Sequence, residues 1–360
     1  MKQYCCETRV VMGRGSLAAL KELKPQRLFL VSDPFFEENG TAQKLAAFSG
    51  TEHTEIFSDI SPDPTVELVA RGTGRLKAFG PDTVVALGGG SAMDAAKAML
   101  WFSGCQAALV AVPTTSGSGS EVTDFSIVTH NGVKHPLIDP SLRPKLAILD
   151  SDLLEQLPRK LIAESGFDVL SHTLEAYVGT NATPFTDALA ADAFRTAYCL
   201  LPASCGGDTS TRLRIHAAAT MAGMAFNQAG LGLCHAISHS LGGMFHLPHG
   251  RLNAILLPAV IRCNAHAAGD RYTRLAEHSG ISSGARTMAV RNLCNGLVRL
   301  RRELELPADL SQAGVDPARL RRSEPELIRS VLADPCCATN PTKVTDYMVR
   351  QVLEEVAGHG

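Results

Sequence analysis

Two regimes of hydrophobic patterning divide the chain. Over the first 150 residues, short apolar runs rich in β-branched residues end at turn residues and give way to helical patterns. Leu28 to Val31 runs into Ser32-Asp33-Pro34, Thr83 to Leu87 into Gly88-Gly89-Gly90, Leu109 to Val112 into Pro113-Thr114-Thr115, and Leu146 to Leu149 into Asp150. This alternation predicts a Rossmann-like α/β domain with a mostly parallel sheet. Ligands of such sheets bind beyond the carboxyl ends of the strands, where these turns fall. After about Leu157-Pro158 the pattern changes to long segments rich in Ala, Leu and Met at helical spacing, among them Phe185 to Leu201, Arg212 to Gln228 and Val344 to Val356. The expected organisation is an α/β domain over residues 1–158 and an all-α domain over residues 159–360. Gly206 to Thr211 and Leu306 to Glu324 read as solvent loops, and there is no internal repeat or low-complexity tract.

Composition removes several function classes. A length of 360 residues with 45% hydrophobic and 19% charged positions supports two domains and a substantial core. The net charge is −2, from 34 basic and 36 acidic residues without a long block of either sign, so no nucleic-acid partner is expected. No run of 18 apolar residues occurs, and Lys2, Glu7, Arg9 and Arg14 interrupt the N-terminal stretch, so neither a membrane span nor a signal peptide is expected and the protein is placed in the cytoplasm. Ten scattered cysteines without a CxxC pair read as reduced structural thiols. Small-molecule chemistry is what these exclusions leave.

Two loops carry the glycines that such chemistry uses. Gly88-Gly89-Gly90-Ser91 follows a strand and opens a helix read over Ala92 to Phe102, which aims backbone N–H groups at one spot and makes an anion site. Ser91 is placed to cap that helix or to donate to a phosphate oxygen. The dinucleotide fingerprint is incomplete, because Met93 stands where GxGxxG has its third glycine. The second loop, Pro113 to Glu121, offers five hydroxyls and two glycines in nine residues, a density with little packing value. Asp33, at the end of an early strand, is positioned to accept from a ribose diol, which favours NAD over a 2′-phosphorylated cofactor. A plain glycine turn, a Gly/Ser linker and a turn-capping aspartate are the ordinary alternatives for the three features.

Histidine spacing changes the picture more. Of 12 histidines, His235, His239, His246 and His249 lie within 15 residues. Uniform scatter would put about 0.5 there. His235 and His239 are four apart on one helix face, and His249 follows the Gly242-Gly243 break and Pro248. Upstream, Asp168 and His172 are also four apart in the helical run Ser165 to Tyr177, with Ser165 as its expected N-cap. A lone histidine on such a helix is usually core or surface; two i,i+4 pairs and a His-Gly turn together supply carboxylate and imidazole ligands for a divalent transition metal. The candidate ligands are Asp168, His172, His235 and His249. His239 and His246 then fall behind the ligands or on the substrate side, with His239 a candidate proton relay, and His216 and His266 read as structural. In the combined mechanism the metal acts as a Lewis acid on a hydroxyl or carbonyl oxygen while hydride passes between the adjacent carbon and a nicotinamide held in a cleft between the domains.

These motifs resemble the iron-containing, or group III, alcohol dehydrogenase family over nearly the whole chain. The resemblance rests on Gly88-Gly89-Gly90-Ser91-Ala92-Met93-Asp94, Pro113 to Glu121, Gly166-Phe167-Asp168-Val169-Leu170-Ser171-His172, and His235-Ala236-Ile237-Ser238-His239 through Pro248-His249-Gly250. It implies a two-domain plan shared with dehydroquinate synthase, divalent iron on Asp168, His172, His235 and His249, and NAD against Asp33, Gly90, Ser91, Thr114, Ser118, Thr123 and Lys134. Thr123 and Lys134 come from the resemblance alone; Gly89, Asp94 and Thr115 complete the cofactor set from the same loops. Zinc suits the same ligand types.

More narrowly, Gly88 to Phe102 and Met221 to Ala265 are similar to the 1-propanol dehydrogenases of propanediol-utilising bacterial microcompartments. That similarity implies a short-chain aldehyde or alcohol substrate, NAD recycling, shell or enzyme partners in a microcompartment, and a homo-oligomer. The alternatives on the same plan are a dehydroquinate synthase-like or glycerol dehydrogenase-like enzyme and a non-catalytic microcompartment-associated binding protein. Two departures from the family pattern stand out: Ser118 where Thr is commoner, and Asp63 where many relatives have Asn, which leaves the role of Asp63 open.

Overall fold

The computed structural model describes residues 4–130, 132–281 and 284–358. The chain divides into two compact units, one made of Cys5–Leu157 with Arg212–Gly223, the other of Met1–Tyr4, Pro158–Thr211 and Met224–Gly360. The first contains β1 (Arg9–Met12), α1 (Leu20–Leu23), β2 (Leu28–Ser32), α2 (Pro34–Glu38), α3 (Thr41–Ser49), β3 (Thr54–Phe57), α4 (Val66–Phe79), β4 (Thr83–Gly88), α5 (Gly90–Ser103), β5 (Ala108–Pro113), β6 (Phe125–His130), β7 (Val133–Ile138) and β8 (Leu146–Leu149). A six-stranded sheet runs in the order β1-β8-β5-β4-β2-β3 with every pairing parallel, and β6 and β7 form a separate antiparallel hairpin. The two classes of strand face follow from period-2 alternation. Phe29, Val31, Val84, Ala86, Leu109 and Ala111 pack against α4 and α5, while Leu28, Leu30, Val85, Leu87, Val110 and Val112 pack against the Ala19–Leu20, Phe36 and Leu45 side. Both faces are covered, which is why these strands read as unbroken apolar runs.

Strand order reverses between β2 and β4: β2 leads outward to β3, and β4 leads the other way to β5. At such a switch point the loops after adjacent strands part and leave a crevice at their carboxyl ends. Asp33 and Gly88–Ser91 are those loops.

The helical unit holds α6 (Arg159–Val178), α7 (Pro184–Cys205), the end of α8 (Arg212–Ala229), α9 (Leu233–Phe245), α10 (His249–His278), α11 (Arg286–Glu303), α12 (Pro317–Ala333) and α13 (Asp346–Val356). The first turns of α8 group with the sheet because Arg212, His216, Thr220 and Gly223 share one helix face. That face meets the Leu154 carbonyl, Ser116, Glu121 and Gly119. Gly119 has φ 64, and a Cβ on it would lie 2.7 Å from the Gly223 Cα, so both positions need glycine. Among the described residues no helix is long and apolar enough to cross a membrane.

Several local expectations are corrected. Ser165 does not cap α6, which begins at Arg159 after Pro158; Ser165 lies inside it and returns its hydroxyl to the Leu161 carbonyl at 2.7 Å. Ser91 does not cap α5 either: Gly89 is the N-cap and Ser91 the second helical residue. The break before His249 falls at His246, in left-handed conformation with φ 55, rather than at Gly242-Gly243, which α9 runs through. The expected solvent loop Leu306 to Glu324 contains the start of α12, where Asp316 caps the helix and Pro317 occupies its first position. Leu306, Leu310, Val315 and Leu320 from that stretch are buried.

Candidate metal centre and nucleotide loops

On α6, Asp168, His172 and Glu175 follow at i, i+4 and i+7 and share one buried face. Across from it, α9 presents His235 in its first turn, and α10 begins with His249 directly after Pro248, whose fixed φ suits a helix start. The Nε2 atoms of His172, His235 and His249 lie 3.8, 3.9 and 3.5 Å from Asp168 Oδ1. All four donor atoms fall within 4.8 Å of one another. Neighbouring ligands on a tetrahedral ion with bonds of about 2.1 Å are roughly 3.4 Å apart, so the spacing is that of a coordination shell.

Three of the four donors are tied to a second side chain. His235 Nδ1 donates to Glu175 Oε2 at 2.6 Å, which leaves the lone pair on Nε2; that atom is buried and has no hydrogen-bond partner. Glu175 also accepts from the N–H groups of Gly232 and Cys234 at 2.9 and 2.6 Å, so one carboxylate fixes both the start of α9 and the tautomer of its histidine. Burial pushes the Glu175 carboxyl up to about 7, against the pull of those backbone donors. Burial, reinforced by His172 and His239, holds His235 well below the ordinary histidine range, so its imidazole is neutral, the form that binds metals. Ser238 Oγ lies 3.0 Å from His249 Nδ1 and 3.4 Å from the His249 carbonyl; the consistent assignment has the imidazole donating to the hydroxyl and the hydroxyl to the carbonyl. The Asn253 amide donates to Asp168 Oδ1 at 2.8 Å.

His239 stands one turn beyond His235, with its ring stacked on His249 at 5.3 Å between centroids. Its Nδ1 is 2.9 Å from Asp334 Oδ2, and Asp334 Oδ1 takes the Cys336 N–H at 2.8 Å. Burial works against the Asp334 carboxylate, but the His239 proton and the Cys336 N–H outweigh it, and its pKa lies below the ordinary aspartate value.

In the other unit, the backbone does most of the shaping. Asp33 does not cap α2 with its side chain; its Oδ2 accepts from Gly89 N–H at 3.2 Å. Gly88 adopts φ 154, and a side chain there would collide with Asp33 and Ala92. Thr114 N–H donates to the Gly88 carbonyl at 3.0 Å, Gly89 lies against Thr115, and Gly90 against Ser118. The three strand ends thus form one cradle.

Behind the cradle, Lys97 is fully buried, and its Nζ donates to Ser120 Oγ, Thr123 Oγ1 and the carbonyls of Thr123 and Phe125, all within 3.1 Å. Asp94 accepts from Ser120 Oγ at 3.0 Å. Burial pushes the Asp94 carboxyl up to about 6 and Lys97 down to about 8, each opposed by the other's charge. Lys134 pairs with Asp63 at 2.7 Å, which gives Asp63 a partner. His216 is fully buried, with Nδ1 2.9 Å from Ser116 Oγ.

Residues 7–151 match the model of iron-containing alcohol dehydrogenase, and residues 162–357 match that of the Fe-containing alcohol dehydrogenase family, C-terminal. The chain belongs to the iron-containing alcohol dehydrogenase family. It is 41% identical to a 1-propanol dehydrogenase PduQ of Citrobacter freundii over 99% of this chain and 100% of that one. Among solved structures, it is similar to the iron-containing alcohol dehydrogenase of Thermococcus thioreducens, with TM-score 0.92 and 32% identity over 99% of this chain and 100% of that chain. It is also similar to the sulfoacetaldehyde reductase of Bifidobacterium kashiwanohense in complex with NAD+, with TM-score 0.91 and 25% identity over the full length of both chains. As a member of this family the chain is an oxidoreductase acting on alcohols or aldehydes.

The family's metal and cofactor fit the residues present. The bare, buried Nε2 of His235, 3.9 Å from Asp168 Oδ1, is an unsatisfied group that a cation completes. The structure brings together Asp168, His172, His235 and His249, the four candidate ligands of the sequence, and sets His239 beside them. Glu175, Ser238, Asn253, Asp334 and Lys97, which contact these residues or the loops, are not among the sequence candidates. Only Glu175 left a signal, its i+7 spacing from Asp168 on an apolar helix face.

Proposed function

We propose that the chain is an NAD-dependent alcohol dehydrogenase that uses a divalent metal, ferrous iron, to interconvert short aliphatic aldehydes and primary alcohols, with propanal and 1-propanol as the pair. The observation that carries this reading is the convergence of Asp168 Oδ1 and three Nε2 atoms on one point. When bound, the metal would supply Lewis-acid polarisation of a substrate oxygen, and NAD would supply the hydride acceptor or donor.

The remaining work falls to side chains. Glu175 and Ser238 keep the Nδ1 protons of His235 and His249 turned away, so that both rings present lone pairs to the metal position. Asp334 occupies the Nδ1 proton of His239, which leaves Nε2 of that ring to take the proton from a substrate hydroxyl and return it during aldehyde reduction. Glycine N–H groups after β4 and hydroxyls after β5 bind the pyrophosphate, and the Asp33 carboxylate binds the ribose diol and repels a 2′-phosphate. The choice of propanal rests on the relative named a 1-propanol dehydrogenase. A microcompartment setting and a homo-oligomer belong to the same reading and rest on the sequence resemblance.

The test is an anaerobic assay of iron-loaded protein with NADH and NADPH across ethanal, propanal, butanal and lactaldehyde, with metal analysis of the same sample. Propanal with NADH is expected to give the highest kcat/KM, and ethanal, one methylene shorter, about tenfold less. Equal use of NADPH would overturn the role of Asp33. Absence of turnover in a fully loaded sample would overturn the reaction.

A further inference from the structure

A second group of metal-type donors lies in the helical unit. His239 on α9 and Asp334 and Cys336 at the start of the 3-10 turn Pro335–Thr339 bring an imidazole nitrogen, a carboxylate oxygen and a sulfur within 4.8 Å of one another. These are not loose surface groups: the side chains of Asp334 and His239 keep 13% and 23% of their exposure, and Cys336 is half-buried. Their hydrogen bonds show where the donors aim. The His239 Nδ1 proton points at Asp334 Oδ2 at 2.9 Å, and the Cys336 sulfur lies within 4.8 Å of both donor atoms. The backbone N–H of Cys336 fixes the other carboxylate oxygen at 2.8 Å. The imidazole proton is therefore directed at an anchored carboxylate that lies beside a thiol. A cation that displaces that proton and the thiol proton finds three convergent ligands whose two negative charges balance its own.

We propose that His239, Asp334 and Cys336 form a second divalent-cation site, selective for thiophilic ions such as Zn2+, whose occupation inhibits the enzyme by taking His239 out of proton transfer. The donor set distinguishes it from the centre at Asp168, which offers no sulfur: one imidazole, one carboxylate and one thiolate leave a fourth tetrahedral position for water, a pattern that suits zinc. The binding step is balanced, since the ion replaces the thiol proton and the imidazole Nδ1 proton, with the imidazole remaining neutral through its other nitrogen. The inhibitory consequence rests on the role proposed above for His239, whereas the existence of the site does not.

Cobalt(II) tests the site directly. Metal-free protein titrated anaerobically with Co2+ is expected to develop a near-ultraviolet thiolate-to-cobalt charge-transfer band, which only sulfur ligation produces, and Zn2+ is expected to bleach it. The band should persist in Asp168→Ala and in Cys337→Ser, whose Sγ is turned to the Val331 carbonyl at 3.1 Å, and vanish in Cys336→Ser and Cys336→Ala. A wild-type protein without the band, or a band that survives both Cys336 variants, overturns the site. For the consequence, Zn2+ added to iron-loaded enzyme is expected to lower kcat about tenfold in the wild type and less than about twofold in Cys336→Ser. Equal inhibition of the two overturns the inhibitory role and leaves the cobalt result to decide the site.

Discussion

Around Asp168 the candidate metal donors are side chains on three helices, three of them tied to a second side chain; around Gly88 the candidate nucleotide-binding groups are backbone N–H groups and hydroxyls on two loops, backed by one buried lysine. The difference follows from what is held. A compact cation needs lone pairs at fixed separations, and rigid helices deliver them through i,i+4 spacing. An extended pyrophosphate needs many N–H groups at close approach, and only a glycine-rich turn exposes them. One consequence is unequal vulnerability. The proposed metal centre is expected to lose function when one donor is removed, while the proposed nucleotide loops depend on whatever fixes their path.

The largest effect expected from this contrast is therefore at Lys97. Lys97→Met leaves the carbonyls of Thr123 and Phe125 and the Asp94 carboxyl without their cation inside the fold. The expected cost is about 3–5 kcal/mol, seen in thermal and urea unfolding, with NADH binding weakened and Fe2+ binding kept. A cost below about 1 kcal/mol would show that the loops hold their shape without it.

Next in size is a pH effect in the same unit. Burial pushes His216 down to about 4 from an ordinary value of 6.5, opposing its bond to Pro113 and the charge of Asp150. Between those values the unfolded chain binds a proton that the folded chain does not, so stability falls as pH drops from about 6.5 to about 4. The full contribution is about 3 kcal/mol, measured as the slope of unfolding free energy against pH. His216→Gln should flatten that slope, and an unchanged slope would mean that other groups govern it.

Legibility in the sequence divides along the same line. Asp168 with His172 and His235 with His239 could be read because a helix writes its face into the sequence at four-residue intervals. Four strands were legible for a similar reason, since burial on both faces makes them continuously apolar. The edge strands β1 and β3 and the β6–β7 hairpin were not, because their partial exposure breaks that signal. Supporting residues were hidden by distance: Lys97 meets the Thr123 carbonyl 26 residues away, and His239 meets Asp334 at a separation of 95. The start of α12 reads as loop because Asp316 and Pro317, which cap and open that helix, are also the residues of turns.

The most direct test of two independently built sites is anaerobic calorimetry of Fe2+ and NADH on the same preparations of wild type, Glu175→Gln and Asp168→Ala. The predicted result is Fe2+ affinity lowered about 10–100-fold in Glu175→Gln and lost in Asp168→Ala, with NADH affinity unchanged in both. Tight Fe2+ binding by Asp168→Ala, or loss of NADH binding along with it, would contradict the account.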